Sequence, residues 1–144
     1  MGAGGVTPNF SAQGIRPSMM PVWSWLIEHA EGNYLVDAGI SSNITKPDYF
    51  KEQGWLLNYY ASKQMKMSVP DGQEIHQLLV KLGKDTNKID SVVLTHLHID
   101  HIDGIVHFPN ARFLIGEDEW NTKDGAFTKL FPSWLNPTPL KMQF

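Results

Sequence analysis

The 144-residue chain contains no cysteine. Disulfide bonds, thiolate metal sites and a cysteine nucleophile are therefore excluded, and any bound metal ion must be held by nitrogen and oxygen ligands. Long apolar runs are also absent, since none approaches the roughly 18 residues that span a bilayer, so we expect no membrane contact. The amino terminus lacks a basic segment followed by an apolar stretch, which predicts a cytoplasmic protein without a secretory signal.

Positive charge is scarce as well. Twelve Lys and Arg against 15 Asp and Glu give a formal net charge of −3, which leaves no excess of cations to neutralise a nucleic-acid backbone. A small-molecule substrate is therefore favoured over nucleic acid as the partner. Glycine and proline are dense in the first part of the chain, so we predict an irregular leader at residues 1–20 and one domain at residues 21–144.

Hydrophobic patterning predicts alternating strands and helices in that domain. Residues 22–28 and 34–37 are β-prone and flank a turn, which indicates a hairpin. Residues 49–65 mix aromatic residues with helix formers and predict a partly helical insertion. Asp71 and Glu74 resemble a capping box before a helix that ends near Gly83. Strands are predicted at residues 91–95, 112–115 and 140–144. A helix is predicted to begin at residue 117. The last strand is still in progress at residue 144, so we expect the sequence to be cut there.

Three of the six histidines and one carboxylate fall within residues 96–101. His96, His98 and Asp100 point to one side if the segment stays extended as it leaves the strand before it. A turn after Asp100 could bring His101 to the same place, and the carboxyl end of a strand is where open α/β sheets place their sites. Imidazole and carboxylate suit zinc best, with manganese, iron or cobalt as alternatives. We therefore predict that His96, His98, Asp100 and His101 are metal ligands.

The other candidate residues have simpler interpretations. Asp37 closes a predicted strand, where its carboxylate either forms an Asx turn or supports a metal ligand through a hydrogen bond. His29, His76 and His107 are interpreted as structural. Three aromatic residues are expected in the core: Trp23, Trp25 and Tyr34.

The pattern His96-x-His98-x-Asp100-His101-x-x-Gly104 resembles the signature of the metallo-β-lactamase superfamily, in its two-metal hydrolase branch. Residues 21–28 and 34–39 resemble the N-acyl-homoserine lactonases, the quorum-quenching lactonases. The resemblance implies an α/β (α+β) fold, the αββα sandwich, of which this chain supplies the amino-terminal half. It also implies that His96 and His98 bind one metal ion and that Asp100 and His101 bind the second. A further His for the first metal, a bridging Asp and a further His for the second would lie downstream.

This resemblance predicts a metal-dependent hydrolase in which a metal-bound hydroxide opens a lactone ring, with Asp100 as the catalytic residue. Residues 55–60 are aromatic-rich and could cover an acyl tail. Two alternatives stay open. The first is hydrolysis of a thioester, β-lactam or phosphoester, and the second is a catalytically incomplete, metal-binding half-domain. We expect the chain alone to be weakly active or inactive and to self-associate, so a homo-oligomer is also left open.

Overall fold

The structure is a computed structural model that describes residues 2–8, 20–47, 49–50, 55, 58–59, 65–122 and 138–140. The described strands form two sheets. The antiparallel three-stranded sheet has the spatial order β2, β1, β5, where β1 is Gly2–Pro8, β2 is Met20–Trp23 and β5 is Met65–Ser68. The five-stranded sheet contains, in spatial order, β3 (Trp25–His29), β4 (Gly32–Val36), β6 (Ser91–Leu94), β7 (Arg112–Gly116) and β8 (Thr138–Leu140).

The five-stranded sheet is mixed, with β6 at its centre. β3 and β4 form an antiparallel hairpin, whereas β4, β6, β7 and β8 run parallel to one another. Val92 and Leu94 of β6 are buried on one face and Ser91 on the other, as expected for a parallel strand covered on both faces. The carboxyl ends of β4 and β6 therefore meet at one edge of the sheet, where each strand continues into polar residues.

The described helices are short. They are α1 (Ile75–Lys81), α2 (Ile99–Ile102) and α3 (Glu117–Asn121), together with 3-10 helices at Ser42–Thr45, Thr86–Lys88 and Asp103–His107. The main core packs Ile75 and Leu79 of α1 and Ile102 of α2 against the buried residues of β6 and β7. In the described part of the chain, no helix has the length and apolar character needed to cross a bilayer.

The start of α1 differs from its prediction. Glu74 is the residue that caps the helix, and its capping box is completed by Gln77 rather than by Asp71. The predicted capping box Asp71-x-x-Glu74 therefore lies about one turn before the observed start of α1. The predicted stop is confirmed, since α1 ends at Lys81 and Gly83 has a φ of +73°, the left-handed conformation common after a helix.

The predicted hairpin is only partly correct, because residues 22–28 are divided at Ser24 between two sheets. Val22 and Ser24 are buried, and side chains of an extended segment alternate, so Trp23 and Trp25 point outward. Their exposed fractions of 52% and 63% show that the core prediction for both is wrong. Tyr34 is partly buried.

Four further predictions concern segments that the structure describes only in part. The leader was expected to be irregular, which is wrong for β1 because its backbone pairs with both β2 and β5 despite its glycines. The division of the chain at residue 20 stays a prediction. In the expected insertion at 49–65, Trp55, Asn58 and Tyr59 are helical, and most of the remainder lies outside the described residues. The final strand occupies Thr138–Leu140, and residues 141–144 also lie outside.

Candidate metal centre

Asp37 and Thr95 are the first residues after two neighbouring parallel strands, β4 and β6. The backbone N–H and the hydroxyl of Thr95 both donate to the Asp37 carboxylate, each at 2.8 Å. Asp37 is buried and has a φ of +58°, a left-handed conformation that is uncommon for residues other than glycine. Two partly buried hydrogen bonds thus hold the Asp37 carboxylate in a fixed position at the edge of the sheet.

His101 contacts the same carboxylate. Its Nδ1 lies 2.7 Å from Asp37 Oδ2, because the short helix α2, capped by His98, turns the chain back towards the strand ends. The hydrogen bond to Asp37 raises the pKa of His101 above its usual value, against the effect of burial, and the negative charges of Asp37 and Asp100 act in the same direction. Nε2 of His101 is directed away from Asp37 and lies 3.5 Å from Asp100 Oδ2.

The three histidines of the motif lie against one another. The ring centroid of His96 is 4.0 Å from that of His101 and 4.5 Å from that of His98. Burial, together with the neighbouring His101 and His98, lowers the pKa of His96. A neutral imidazole is the form that binds metal ions. The distances show that the four residues of the sequence pattern lie close together. Their role as ligands stays a prediction.

The turn that carries the motif is fastened to the loop after β4. The backbone N–H of Ala38 donates to the His101 carbonyl at 2.8 Å, and that of Gly104 donates to the Gly39 carbonyl at 3.0 Å. A Cβ atom at position 104 would lie 2.1 Å from the Ala38 carbonyl oxygen. The glycine that ends the sequence pattern is thus required by the close approach of two backbones.

Two acidic residues that support this turn were missed by the sequence analysis. Glu119 of α3 accepts a hydrogen bond from the backbone N–H of Leu97 at 2.9 Å, between two predicted ligands. Asp103 accepts hydrogen bonds from the Ser41 N–H at 2.7 Å and from the Tyr49 hydroxyl, and burial together with the charge of Asp103 raises the Tyr49 pKa. Glu119 lies just after the helix start predicted at residue 117, and no local pattern marks its contact 22 residues away.

The remaining histidines fall into two groups. His29 lies at the exposed hairpin turn, where its Nδ1 accepts a hydrogen bond from the Glu31 N–H at 3.2 Å. His76 and His107 instead stack, with ring centroids 3.6 Å apart, and each lies 3.5 Å from a Glu74 carboxylate oxygen. That group of three contains no residue of the motif.

The donors at the motif fit a transition-metal ion. All are nitrogen or oxygen, and imidazole with carboxylate is a ligand set that zinc accepts. Asp37 fixes one ring through its Nδ1, as carboxylates next to metal-bound histidines do.

The exposed aromatic residues Trp55 and Tyr59 lie in the segment expected to cover an acyl tail, with 80% and 60% of their surfaces accessible.

Residues 18–116 match the family model of the Metallo-beta-lactamase superfamily. The chain is 25% identical over 101 residues to AiiA, an N-acyl homoserine lactonase from Bacillus thuringiensis subsp. kurstaki. The alignment covers 70% of this chain and 38% of that relative. The aligned segment thus spans less than half the length of this curated relative.

Two solved structures share the fold. One is a crystal structure of Bacillus thuringiensis AiiA with N-decanoyl-L-homoserine bound at its active site; its TM-score is 0.72 at 22% identity, and the match covers 98% of this chain and 58% of that one. The other is AidC, a dizinc quorum-quenching lactonase in complex with a product, N-hexanoyl-L-homoserine; its TM-score is 0.51 at 22% identity, with 74% and 30% covered. The predicted α/β (α+β) fold class is confirmed.

Proposed function

The chain belongs to the metallo-beta-lactamase superfamily, and on that premise we propose that it supplies the motif ligands of a metal-dependent hydrolase centre. His96 and His98 would hold one metal ion, and Asp100 and His101 would hold a second. Zinc is the proposed metal, because the structural relative AidC is described as a dizinc lactonase and the donors are imidazole and carboxylate. Manganese, iron and cobalt are the alternatives.

One contact carries this proposal, the 2.7 Å approach of Asp37 Oδ2 to His101 Nδ1. An ionised carboxylate only accepts hydrogen bonds, so Nδ1 carries the hydrogen and the lone pair of the neutral ring is on Nε2. Asp37 is thus a positioning residue that presents His101 Nε2 towards Asp100. The same contact orients ligating histidines in other metal sites, where its loss weakens metal binding about 10–100-fold.

The proposed chemistry is hydrolysis of a carbonyl substrate. When bound, two metal ions lower the pKa of water towards neutrality and polarise a carbonyl oxygen. Asp100 is the proposed catalytic residue, because it supplies the negative charge among the four proposed ligands and its carboxylate is partly exposed. From there it can accept a hydrogen bond from water and hold it beside a substrate, while the Asp37 network keeps His101 still.

The proposed substrate is a lactone of the N-acyl-homoserine type. Support comes from the relatives, since AiiA and AidC are described with N-acyl-homoserines bound, which are the ring-opened forms of such lactones. In this chain, Trp55 and Tyr59 present aromatic surface on which an acyl tail could pack. Thioesters, β-lactams and phosphoesters are the competing substrates.

A substrate panel tests the proposal. The zinc-loaded protein, both as the 144-residue chain and extended by any coding sequence that follows it, is assayed with an N-acyl-homoserine lactone, a thioester, a β-lactam and a phosphodiester. We expect the lactone to have the highest kcat/KM in at least the extended form. A higher kcat/KM for any other substrate would contradict the proposed specificity and leave the hydrolase assignment intact.

The second candidate function is a metal-binding half-domain without turnover. It is favoured by the ligand count, since the motif offers two ligands to each of two ions, and a catalytic zinc usually has three protein ligands. Under this alternative the 144-residue chain binds zinc but hydrolyses none of the four substrates. Lactone turnover by the short chain, lost on His98→Ala, would exclude it.

A further inference from the structure

A second group of side chains suited to a metal ion lies outside the motif. It consists of Glu74, His76 and His107, and one potential ligand atom from each lies within 4.8 Å of the other two. Glu74 caps α1, His76 lies in its first turn, and His107 ends the 3-10 helix that follows the motif. Residues from two separate elements thus meet at one point.

Two of the three separations between these atoms match those between neighbouring ligands of a tetrahedral zinc ion. Glu74 Oε2 lies 3.5 Å from His76 Nδ1 and 3.5 Å from His107 Nε2. With zinc–ligand bonds of about 2.0–2.2 Å, neighbouring ligand atoms of a tetrahedron lie about 3.3–3.6 Å apart. An ion could therefore bind between the carboxylate and the two rings with little backbone movement.

One nitrogen of this group lacks a hydrogen-bond partner. His107 Nε2 is buried, and among the described residues nothing accepts from it or donates to it within hydrogen-bond geometry. The other Glu74 oxygen, Oε1, accepts the backbone N–H of Ser42 at 3.1 Å, which directs Oε2 towards the rings. Buried polar atoms are nearly always bonded, so the missing partner leaves His107 Nε2 available to a ligand.

The surroundings of Glu74 and His76 lower the pKa of both side chains. Burial lowers the pKa of His76, and the neighbouring His107 lowers it further, although Glu74 opposes this effect. Burial alone would raise the pKa of Glu74, but the hydrogen bonds from Ser42 and the two histidines outweigh it and lower that pKa. A lowered pKa favours the neutral ring of His76 and the ionised carboxylate of Glu74, which are the forms that bind a divalent cation.

We propose that Glu74, His76 and His107 form a separate, structural zinc site with two imidazole ligands and one carboxylate ligand. The ion would tie the start of α1 to the end of the Asp103–His107 helix, and through Ser42 to the loop that follows β4. The two rings now stack at an angle of 21°, and the lone pairs of nearly parallel rings do not converge. Zinc binding therefore requires the rings to tilt apart.

The test separates this site from the motif. In a His96→Ala/His98→Ala background, zinc is titrated into metal-free protein by calorimetry, and zinc per chain is counted after desalting. We expect one retained zinc ion, with zinc-edge X-ray absorption showing two imidazole ligands. Adding His76→Leu should weaken this binding by at least about tenfold, whereas adding His29→Leu, at the exposed turn, should leave it unchanged. No zinc in the background protein, or equal binding with His76→Leu and His29→Leu, would overturn the proposal.

A second measurement applies if the background protein does not fold. In the otherwise unchanged chain, His76→Leu should lose one zinc ion per chain relative to His29→Leu, and the rise in Tm on adding zinc should shrink. Leucine favours a helix, so α1 itself should form in both proteins. The same zinc content and the same Tm rise in both variants would overturn the site.

Discussion

The Asp37 carboxylate lies 2.7 Å from Nδ1 of His101, although the two residues are 64 positions apart in the chain. The same carboxylate accepts both the backbone N–H and the hydroxyl of Thr95. Three hydrogen bonds thus join the ends of β4 and β6 to the motif. This buried acidic residue, with its left-handed backbone, fixes the orientation of a proposed ligand before any metal ion arrives.

Asp37→Asn should weaken metal binding at the motif. The amide keeps the size of the side chain but removes the charge that holds the Nδ1 hydrogen of His101, so the ring loses its preferred orientation and tautomer. We expect a rise in the zinc Kd of about 10–100-fold, measured by competition with a chelator. Asp85→Asn is the control, because Asp85 caps an exposed turn through the Asn87 N–H. An unchanged Kd in Asp37→Asn would show that Asp37 only supports the turn.

The metal-free chain should show the raised pKa of His101 in its titration. We expect a midpoint above 6.5 for His101 and below 6.5 for His96, followed through their ring proton signals by NMR in the presence of a chelator. Because the folded pKa of His101 lies above its unfolded value, its interaction with Asp37 stabilises the fold fully below about pH 6.5 and is lost as the pH rises through the raised value. The Tm difference between the wild type and Asp37→Asn should therefore be larger at acidic than at alkaline pH. The opposite trend would contradict the ion pair.

Gly104→Ala should destabilise the fold. The new Cβ would lie 2.1 Å from the Ala38 carbonyl oxygen, a backbone atom that cannot move alone. We expect a loss of at least about 1–3 kcal/mol in the free energy of unfolding, measured by urea denaturation. Gly116→Ala is the matched control, because a Cβ there meets nothing within 4 Å. A similar loss in both variants would mean that the close approach at position 104 is not the cause.

Glu119→Ala should destabilise the turn that contains the motif, because it removes a contact from α3. The buried N–H of Leu97 would lose its acceptor, which costs about 1–3 kcal/mol of stability, and the adjacent ligands His96 and His98 would bind zinc less tightly. Glu119→Gln keeps an oxygen at the same place and should recover most of the loss. Asp118→Ala, on an exposed position of the same helix, serves as the control. If Gln and Ala at position 119 behave alike in thermal denaturation, the hydrogen bond to Leu97 contributes nothing.

Much of this arrangement is visible in local sequence patterns. The β-branched run before His96 predicts the central strand β6. The apolar residues that recur at helical spacing earlier in the chain predict α1. The proximity of His96, His98 and His101 follows from their spacing and from the turn into α2, which begins at Ile99 rather than after Asp100 as predicted. These features depend on neighbours a few residues away, so the sequence alone is sufficient to predict them.

Contacts between residues far apart in the chain were not predicted from the sequence. Trp23 and Trp25 have large aromatic side chains of the kind that usually pack in a core. The chain passes from one sheet to the other at Ser24, and the alternation of side chains there exposes both rings. His76 and His107 each resemble an isolated structural histidine, and only the packing of α1 against the segment after the motif makes them a pair beside Glu74. Glu119 likewise acquires its role from a tertiary hydrogen bond. No local period encodes such contacts.

Zinc binding by His98→Ala, measured beside His29→Ala, tests the central claim most directly. His98 is a proposed ligand of the motif, whereas His29 belongs to the exposed hairpin turn. After reconstitution with zinc and desalting, elemental analysis should find less zinc per chain in His98→Ala than in the wild type, and an unchanged amount in His29→Ala. Circular dichroism should show that both variants are folded. The same zinc content in wild type, His98→Ala and His29→Ala would contradict a metal centre at the motif.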